Sequence, residues 1–278
     1  MWSGAMAKRG VAALLALGMG LALSVPAGAA QCGNSPEGFQ AWLEDFKQVA
    51  INDGVSPDVV DKALGKATFD PSVLRHDQGQ AGWQGGNAAS FAASHITPGR
   101  LKRGKQMMLA YAEPLERIEQ TYGVPGPVLV AIWGLETDYG AVGGQYSTFS
   151  ALATLAYDCR RGSLYRAELV DALMIVQRGL LTPEQMRGAW AGELGQTQFM
   201  PSAYLKYGVD AHGGRGGDLM RNGADALAST ANFLKAHGWQ RGAGWDPGQP
   251  NFAAILEWNS AEVYAKTIAQ FADRLAGP

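Results

Sequence analysis

Apolar residues recur along the chain at the spacing of helical faces. Phe39, Trp42, Leu43 and Phe46 fall at i, i+3, i+4 and i+7, and Ser35-Pro36 ahead of them is an N-cap followed by a first-turn proline. Ser56-Pro57 repeats that start signal before Val59, Val60, Ala63 and Leu64. Residues 68–88 are polar and glycine-rich and read as a long loop. Thr97-Pro98 opens a helix reaching about Tyr122, and Thr182-Pro183-Glu184-Gln185 has the form of a capping box. Asp225 to His237 reads as a helix stopped by Gly238, and Ala261 to Leu275 as a last amphipathic helix. No run of alternating strands stands out, so the pattern predicts a mainly α protein. The glycine cluster 213–217 is read as a loop. No strand precedes it and no Lys-Ser/Thr follows, so it is not a phosphate cradle.

The first thirty residues follow a different rule. Lys8 and Arg9 precede an apolar run from Gly10 to Val25, then Pro26 and the small residues Ala27-Gly28-Ala29-Ala30. That order predicts a signal peptide over residues 1–30, cleaved after Ala29 or Ala30, and hence a periplasmic protein. Removing its two cations takes the formal charge from −2 to −4, which gives no general attraction to nucleic acid. Cys32 and Cys159 are the two cysteines, and in an oxidising compartment they predict one disulfide. Two buried thiols, or a lipid anchor on Cys32, are the alternatives. His76, His95, His212 and His237 are scattered without ligand spacing, so neither metal nor cofactor is expected.

One residue breaks the hydrophobic pattern where it is most continuous. Val128 to Leu135 is apolar on every side but for Gly134, which predicts a buried helix, and Glu136 lies in its last turn with Gly140 expected to end it. Burial and the negative end of the helix dipole both favour the neutral carboxyl, as a general acid at neutral pH requires. Gly134 and Gly140 are read as leaving room for a ligand. A buried glutamate bonded to an arginine or a backbone amide satisfies the same pattern. A second stretch, Gly188 to Tyr204, carries Gln196, Gln198 and aromatics on a glycine-rich loop. It suits a sugar, through amide hydrogen bonds and a flat stacking face, though Phe199 and Met200 also fit a core.

These stretches together resemble a family. GLETDYG (134–140) is similar to the E-[ST]-x-x-G signature of lytic murein transglycosylases. ALATLAYD (151–158), WAGELGQTQFMPSAY (190–204) and LEWNSAEVY (256–264) resemble the membrane-bound lytic transglycosylase B type. The resemblance covers about residues 36–275. It implies a lysozyme-like α domain with flanking helices: an N-terminal helical region over 31–122, a catalytic core over 123–224, and C-terminal helices over 225–278 that pack on the N-terminal region. The implied substrate is the glycan strand of peptidoglycan, cut at the β-1,4 bond between N-acetylmuramic acid and N-acetylglucosamine. The implied protein is a monomer, with cell-wall remodelling proteins as possible partners. Glu136 falls on the single catalytic acid/base. Gln198, Phe199, Asn259 and Tyr264 fall on positions lining the sugar cleft, Phe91 on a stacking aromatic, and Arg160 and Arg161 where basic residues meet the stem peptide. By spacing alone Tyr264 also fits a core role, and a solvated pair is the favoured reading of Arg160 and Arg161. Two departures stand out. Ala189 replaces a serine found in some relatives. Near residues 209–219, His212 and Gly214 stand where a calcium loop wants oxygen ligands, so no calcium is expected there.

Glycosidases usually place two carboxylates about the bond. Asp138 is two residues beyond Glu136 and so points about 200° away on a helix. Glu193 lies in the cleft loop, where local polar contacts account for it as well. The resemblance therefore points to a single-carboxylate route that closes a 1,6-anhydro ring on the muramic acid. A water-using muramidase and a non-catalytic wall-binding scaffold are the competing readings.

Overall fold

The computed structural model describes residues 31–80, 87–213 and 216–277. The signal-peptide reading of residues 1–30 and part of the 213–217 glycine cluster lie outside them. Thirteen helices and one two-stranded ribbon make up the described residues. No described helix is long and apolar enough to cross a membrane.

Helix α1 (Phe39–Asn52) starts three residues later than expected. Gly38, at φ 82, forms the N-cap in place of Ser35. The predicted stripe is buried as read, with Phe39, Trp42, Leu43 and Phe46 all inside. Helix α2 (Pro57–Leu64) begins at its Ser-Pro signal. Within the expected loop 68–88, residues 71–80 are instead helical, as α3 (Pro71–Gln80). Its polar composition hides a local start signal: Asp70 Oδ1 accepts from Ser72 N at 2.9 Å, and Asp70 N is tied to Thr154 at 2.9 Å. Val73 and Leu74 are buried. Helix α4 (Ala88–His95) is capped by the Asn87 side chain. The single helix expected over 97–122 is two, α5 (Pro98–Ala110) and α6 (Ala112–Tyr122), broken at Tyr111. Pro114 explains the break, because it has no N–H for the Ala110 carbonyl.

Helix α7 (Gly126–Thr137) carries Glu136. The strand β1 (Tyr146–Ser147) then leads into α8 (Thr148–Tyr157) and α9 (Gly162–Gln177). Strand β2 (Arg187–Gly188) pairs antiparallel with β1, Tyr146 opposite Gly188. The Thr182–Gln185 capping signal makes a turn rather than a helix: Gln185 Oε1 accepts from Thr182 N at 2.8 Å, and the chain then enters β2. Helices α10 (Pro201–Tyr207), α11 (Gly223–Ala236), α12 (Phe252–Trp258) and α13 (Glu262–Ala276) complete the chain.

Packing follows two cores that cut across chain order. Helices α1, α2, α8 and α9 share one, around Trp42, Leu64, Leu152, Tyr157 and Leu169. Helices α6, α7, α11, α12 and α13 share the other, around Leu129, Ile132, Trp133, Leu227, Ile255 and Phe271. Helix α13 also packs on α4 and α5. Phe233 and Trp258 touch both cores. The described N-terminus is fastened by a Cys32–Cys159 disulfide, by Gly33 N donating to Tyr157 O at 3.0 Å, and by Tyr157 OH donating to Glu37 O at 2.7 Å. The bridge occupies the Cys32 sulfur, so a free thiol or a thioether-linked lipid there is not the state of this structure.

Candidate active site

The cleft lies at the seam between the two cores. It holds about 560 Å³ and is lined by Glu136, Glu168, Ala189, Glu193, Gln198 and Asn259, with Phe199, Phe233 and Trp258 forming apolar wall.

Glu136 reaches it from the last turn of α7. The helix stops one residue later because Asp138 and Tyr139 both turn left-handed, at φ 52 and 65, and not at Gly140 as the sequence suggested. Non-glycine residues seldom adopt this conformation, and here it is held by contacts. Asp138 is paired with Arg100 and Arg103, whose hydrogen bonds hold its carboxyl below the usual range against the opposing effect of partial burial. Tyr139 OH donates to Arg100 O at 2.8 Å. Asp138 is therefore committed to an ion-pair cluster rather than to the acid.

Gly134 and Gly140 do make room, but for protein. A Cβ at Gly134 would stand 2.7 Å from the Tyr139 hydroxyl oxygen, and one at Gly140 2.4 Å from Gln196 Oε1. Gln196 serves as a brace. Its Oε1 accepts from Trp133 Nε1 at 3.1 Å, and its carbonyl accepts from Thr137 OH at 2.5 Å. Thr137 Oγ1 also accepts from Gly140 N at 2.9 Å. The Glu-Thr pair of the signature thus has divided roles: the threonine staples the helix end to the glutamine loop, and the glutamate is left facing the cleft.

Two side chains more than 120 residues away complete the acid. Trp258 Nε1 donates to Glu136 Oε1 at 3.1 Å, and Tyr264 OH donates to the same oxygen at 2.9 Å. The indole N–H can only donate, so Oε1 is held as the acceptor and the acidic proton belongs on Oε2. Burial raises the Glu136 pKa to about 7, the hydrogen bonds from Trp258 and Tyr264 oppose that rise, and the Glu193 charge adds to it. Burial, together with the neighbouring Glu136, also pushes the Tyr264 hydroxyl well above its ordinary range.

The other residues singled out in the sequence divide into two groups. Gln198, left-handed at φ 56, donates through Nε2 to Gly195 O at 2.7 Å, which presents its amide at the cleft wall. Asn259 caps α12 and its Oδ1 accepts from Ala261 N at 3.0 Å, still on the cleft. Phe199 is buried, and its ring meets Trp258 edge-on at 5.2 Å, so it supports the tryptophan. Phe91 stacks on His95 at 3.8 Å and stands 6.2 Å from the Tyr264 ring, beside the acid but outside the main cavity lining. Arg160 is exposed but already paired: its Nη2 donates to Asp77 and Asp158 at 2.6 Å each. Arg161 pairs with Asp77 and lies 5.2 Å over the Tyr165 ring. Ala189 lines the cleft without a hydroxyl to offer.

Trp258 is the functional residue that sequence reasoning passed over. It lies inside the quoted LEWNS stretch, yet no periodicity tells which indole edge will meet a carboxylate on another helix. Near the expected non-calcium loop, Asp210, His212 and Asp225 each bring one ligand atom within 4.8 Å of the others. Both Asp225 oxygens already accept backbone N–H groups, from Ala211 and Asp218. The group is a poor match to the oxygen shell of calcium.

Comparison with known proteins agrees with this geometry. The transglycosylase SLT domain profile matches residues 38–248. Membrane-bound lytic murein transglycosylase B of Escherichia coli (strain K12) is 37% identical over 169 residues, covering 58% of this chain and 46% of that protein. The matched chain thus spans about half the length of that curated relative. SltB3 of Pseudomonas aeruginosa, solved in complex with NAG-anhNAM-pentapeptide, superposes with a TM-score of 0.80 at 29% identity, covering 86% of this chain and 80% of that one. The Escherichia coli lytic transglycosylase Slt35 in complex with bulgecin A gives 0.76 at 28% identity, covering 84% and 92%. The mainly α, lysozyme-like fold is that of these neighbours. With the profile spanning most of the chain, this protein belongs to the transglycosylase SLT domain family.

Proposed function

We propose that this protein is a lytic murein transglycosylase that cleaves the β-1,4 bond between N-acetylmuramic acid and N-acetylglucosamine and leaves 1,6-anhydro ends. The observation that carries the proposal is Glu136: a carboxyl with a pKa raised to about 7, both donors on Oε1, at a polar cleft. Oε2 protonates the bridging oxygen, and the leaving sugar departs from an oxocarbenium-like centre. The same carboxylate then takes the proton of the muramic acid O6, which is already held in the complex and closes the ring without capture of water. The crystallised complex of SltB3 with NAG-anhNAM-pentapeptide, a ligand with an anhydro-muramic acid end, supports this reading. Gln198 and Asn259 bind sugar amides and hydroxyls in this reading, and Phe91 stacks beyond Tyr264. Arg160 and Arg161 reach the stem peptide only by sharing the Asp77 cluster. The chain is exported to the periplasm by residues 1–30 and works there as a monomer on glycan strands, alongside cell-wall remodelling proteins.

Purified sacculi test the proposal. The wild-type protein should release muropeptides that each lack one water and resist borohydride reduction at the muramic acid. Glu136→Gln should bind glycan and lower release by about 10²–10⁴-fold or more. Reducible, fully hydrated products would make the protein a muramidase, and no release at all would leave a wall-binding scaffold.

A further inference from the structure

Glu193 is the cleft's second unexplained carboxylate. It sits in the loop between Gly188 and Phe199, whose backbone is clamped from both sides. Ala189 N donates to Glu193 O at 3.2 Å, and Leu194 and Phe199 exchange two backbone hydrogen bonds at 2.7 and 2.8 Å. Gly188 has no room for a side chain, since a Cβ would stand 1.7 Å from the Glu193 carbonyl oxygen. Gly192 turns at φ 92 against Leu152. The carboxylate is oriented within this loop, where Oε2 accepts from Ala191 N at 3.1 Å, and it lines the cleft together with Glu136. No cation pairs with it among the described residues.

The charged and titratable groups around it have other commitments. From α9, both Glu168 oxygens accept from Ser202, at 2.7 Å from its hydroxyl and 3.0 Å from its backbone N–H. Arg161, before α9, is paired with Asp77 and lies over Tyr165. Tyr165 feels the Glu193 charge through its hydroxyl. From α12 and α13, Glu257 is exposed at the rim, and Tyr264 is bonded to Glu136. From α7 comes Glu136 itself. A half-buried carboxylate without a paired cation is costly, so its place in a pre-shaped loop beside the acid calls for a role.

Building on the glycosidic chemistry proposed above, we propose that Glu193 is a second carboxylate of the reaction, whose negative charge in the cleft stabilises the positive charge developing at the sugar C1 as the glycosidic bond breaks. Two carboxyls in one cleft do not ionise together easily. Burial raises the Glu193 pKa too, but backbone N–H groups of Ala191 and of Glu193 itself favour its charged form. The Glu193 charge in turn raises the Glu136 pKa, so an ionised Glu193 helps Glu136 keep its proton. The preorganised charge forms no bond to the sugar, so the ring closure and its proton balance are unchanged.

The test is a pH profile of sacculus digestion by the wild-type protein, Glu193→Gln and Glu193→Asp. The wild type should show a bell: a rising limb as Glu193 ionises and a falling limb near pH 7 as Glu136 loses its proton. Glu193→Gln should lose the rising limb, shift the falling limb to lower pH, and lower kcat by about 10–10²-fold with little change in KM. Glu193→Asp, which keeps the charge, should retain both limbs and recover part of the rate. If Glu193→Gln folds poorly in a thermal melt, the Asp variant carries the comparison. A Gln variant with wild-type rate and limbs overturns the proposal, as does a loss confined to KM. Reducible products that vanish selectively in Glu193→Gln would make it a water-activating base and overturn it as well. Failure of the underlying reading looks different, because then the wild-type protein itself releases nothing.

Discussion

Replacing Trp258 with phenylalanine tests the hydrogen bond that defines the acid. The change removes the indole N–H from Glu136 Oε1, a contact of 3.1 Å. It keeps an aromatic ring against Phe199 and Phe233, which meet Trp258 edge-on at 5.2 and 5.1 Å. A hydrogen bond to a charged acceptor contributes about 1.5–3 kcal/mol and one to a neutral acceptor about 0.5–1.5 kcal/mol. The difference, about 1 kcal/mol, favours the ionised carboxylate and equals somewhat under one pKa unit at about 1.36 kcal/mol per unit. Its loss should raise the Glu136 pKa from about 7 by roughly half to one unit. A general acid works while protonated, so the falling limb of the pH profile should move to higher pH. With Tyr264 the remaining donor, and free to rotate and accept, the proton is no longer confined to Oε2. The plateau rate should therefore drop, by up to about tenfold. Sacculus digestion followed from pH 5 to pH 9 reads both effects, and a thermal melt reports folding. A falling limb that stays in place or moves to lower pH would refute the reasoning, because it would mean that Trp258 does not stabilise the ionised acid or that Glu136 is not the titrating group.

Two further outcomes concern stability. Glu136 has a folded-state pKa raised from 4.5 to about 7, so folding favours its protonated form, and it weakens the fold progressively as pH rises from about 4.5 to about 7. Glu136→Gln should accordingly melt higher than wild type at pH 8, by at most about 3 kcal/mol, with no gain at pH 4; equal melting at both pH values would count against a strained acid. The Cys32–Cys159 bridge spans 127 positions, and in the chain-entropy model it contributes about 4–5 kcal/mol. Reductant should lower the melting temperature markedly, and non-reducing peptide mapping of exported protein should recover the linked pair; two alkylatable thiols would refute the bridge.

Local signals settled much of this molecule in advance. Ser56-Pro57, Thr97-Pro98 and Gly238 mark helix ends by stereochemistry that acts within one turn, and the Phe39–Phe46 stripe states its buried face by spacing alone. The all-apolar run before Glu136 marked it as a candidate acid or a structural carboxyl alike, and the resemblance, not the spacing, favoured the acid. Other features depend on partners distant in sequence. Helix α3 looked like a loop because its stability comes from Thr154 and the α8 surface rather than from its own propensity. Gln196 and the glycines at 134 and 140 looked like ligand contacts, but their neighbours proved to be Trp133, Thr137 and Tyr139. Trp258 and Tyr264 meet Glu136 across more than 120 residues, and Glu193 joins the same cleft from another loop. The proton affinity of Glu136 is set by burial and by charges and donors within a few ångströms, and only the tertiary structure decides which groups stand there.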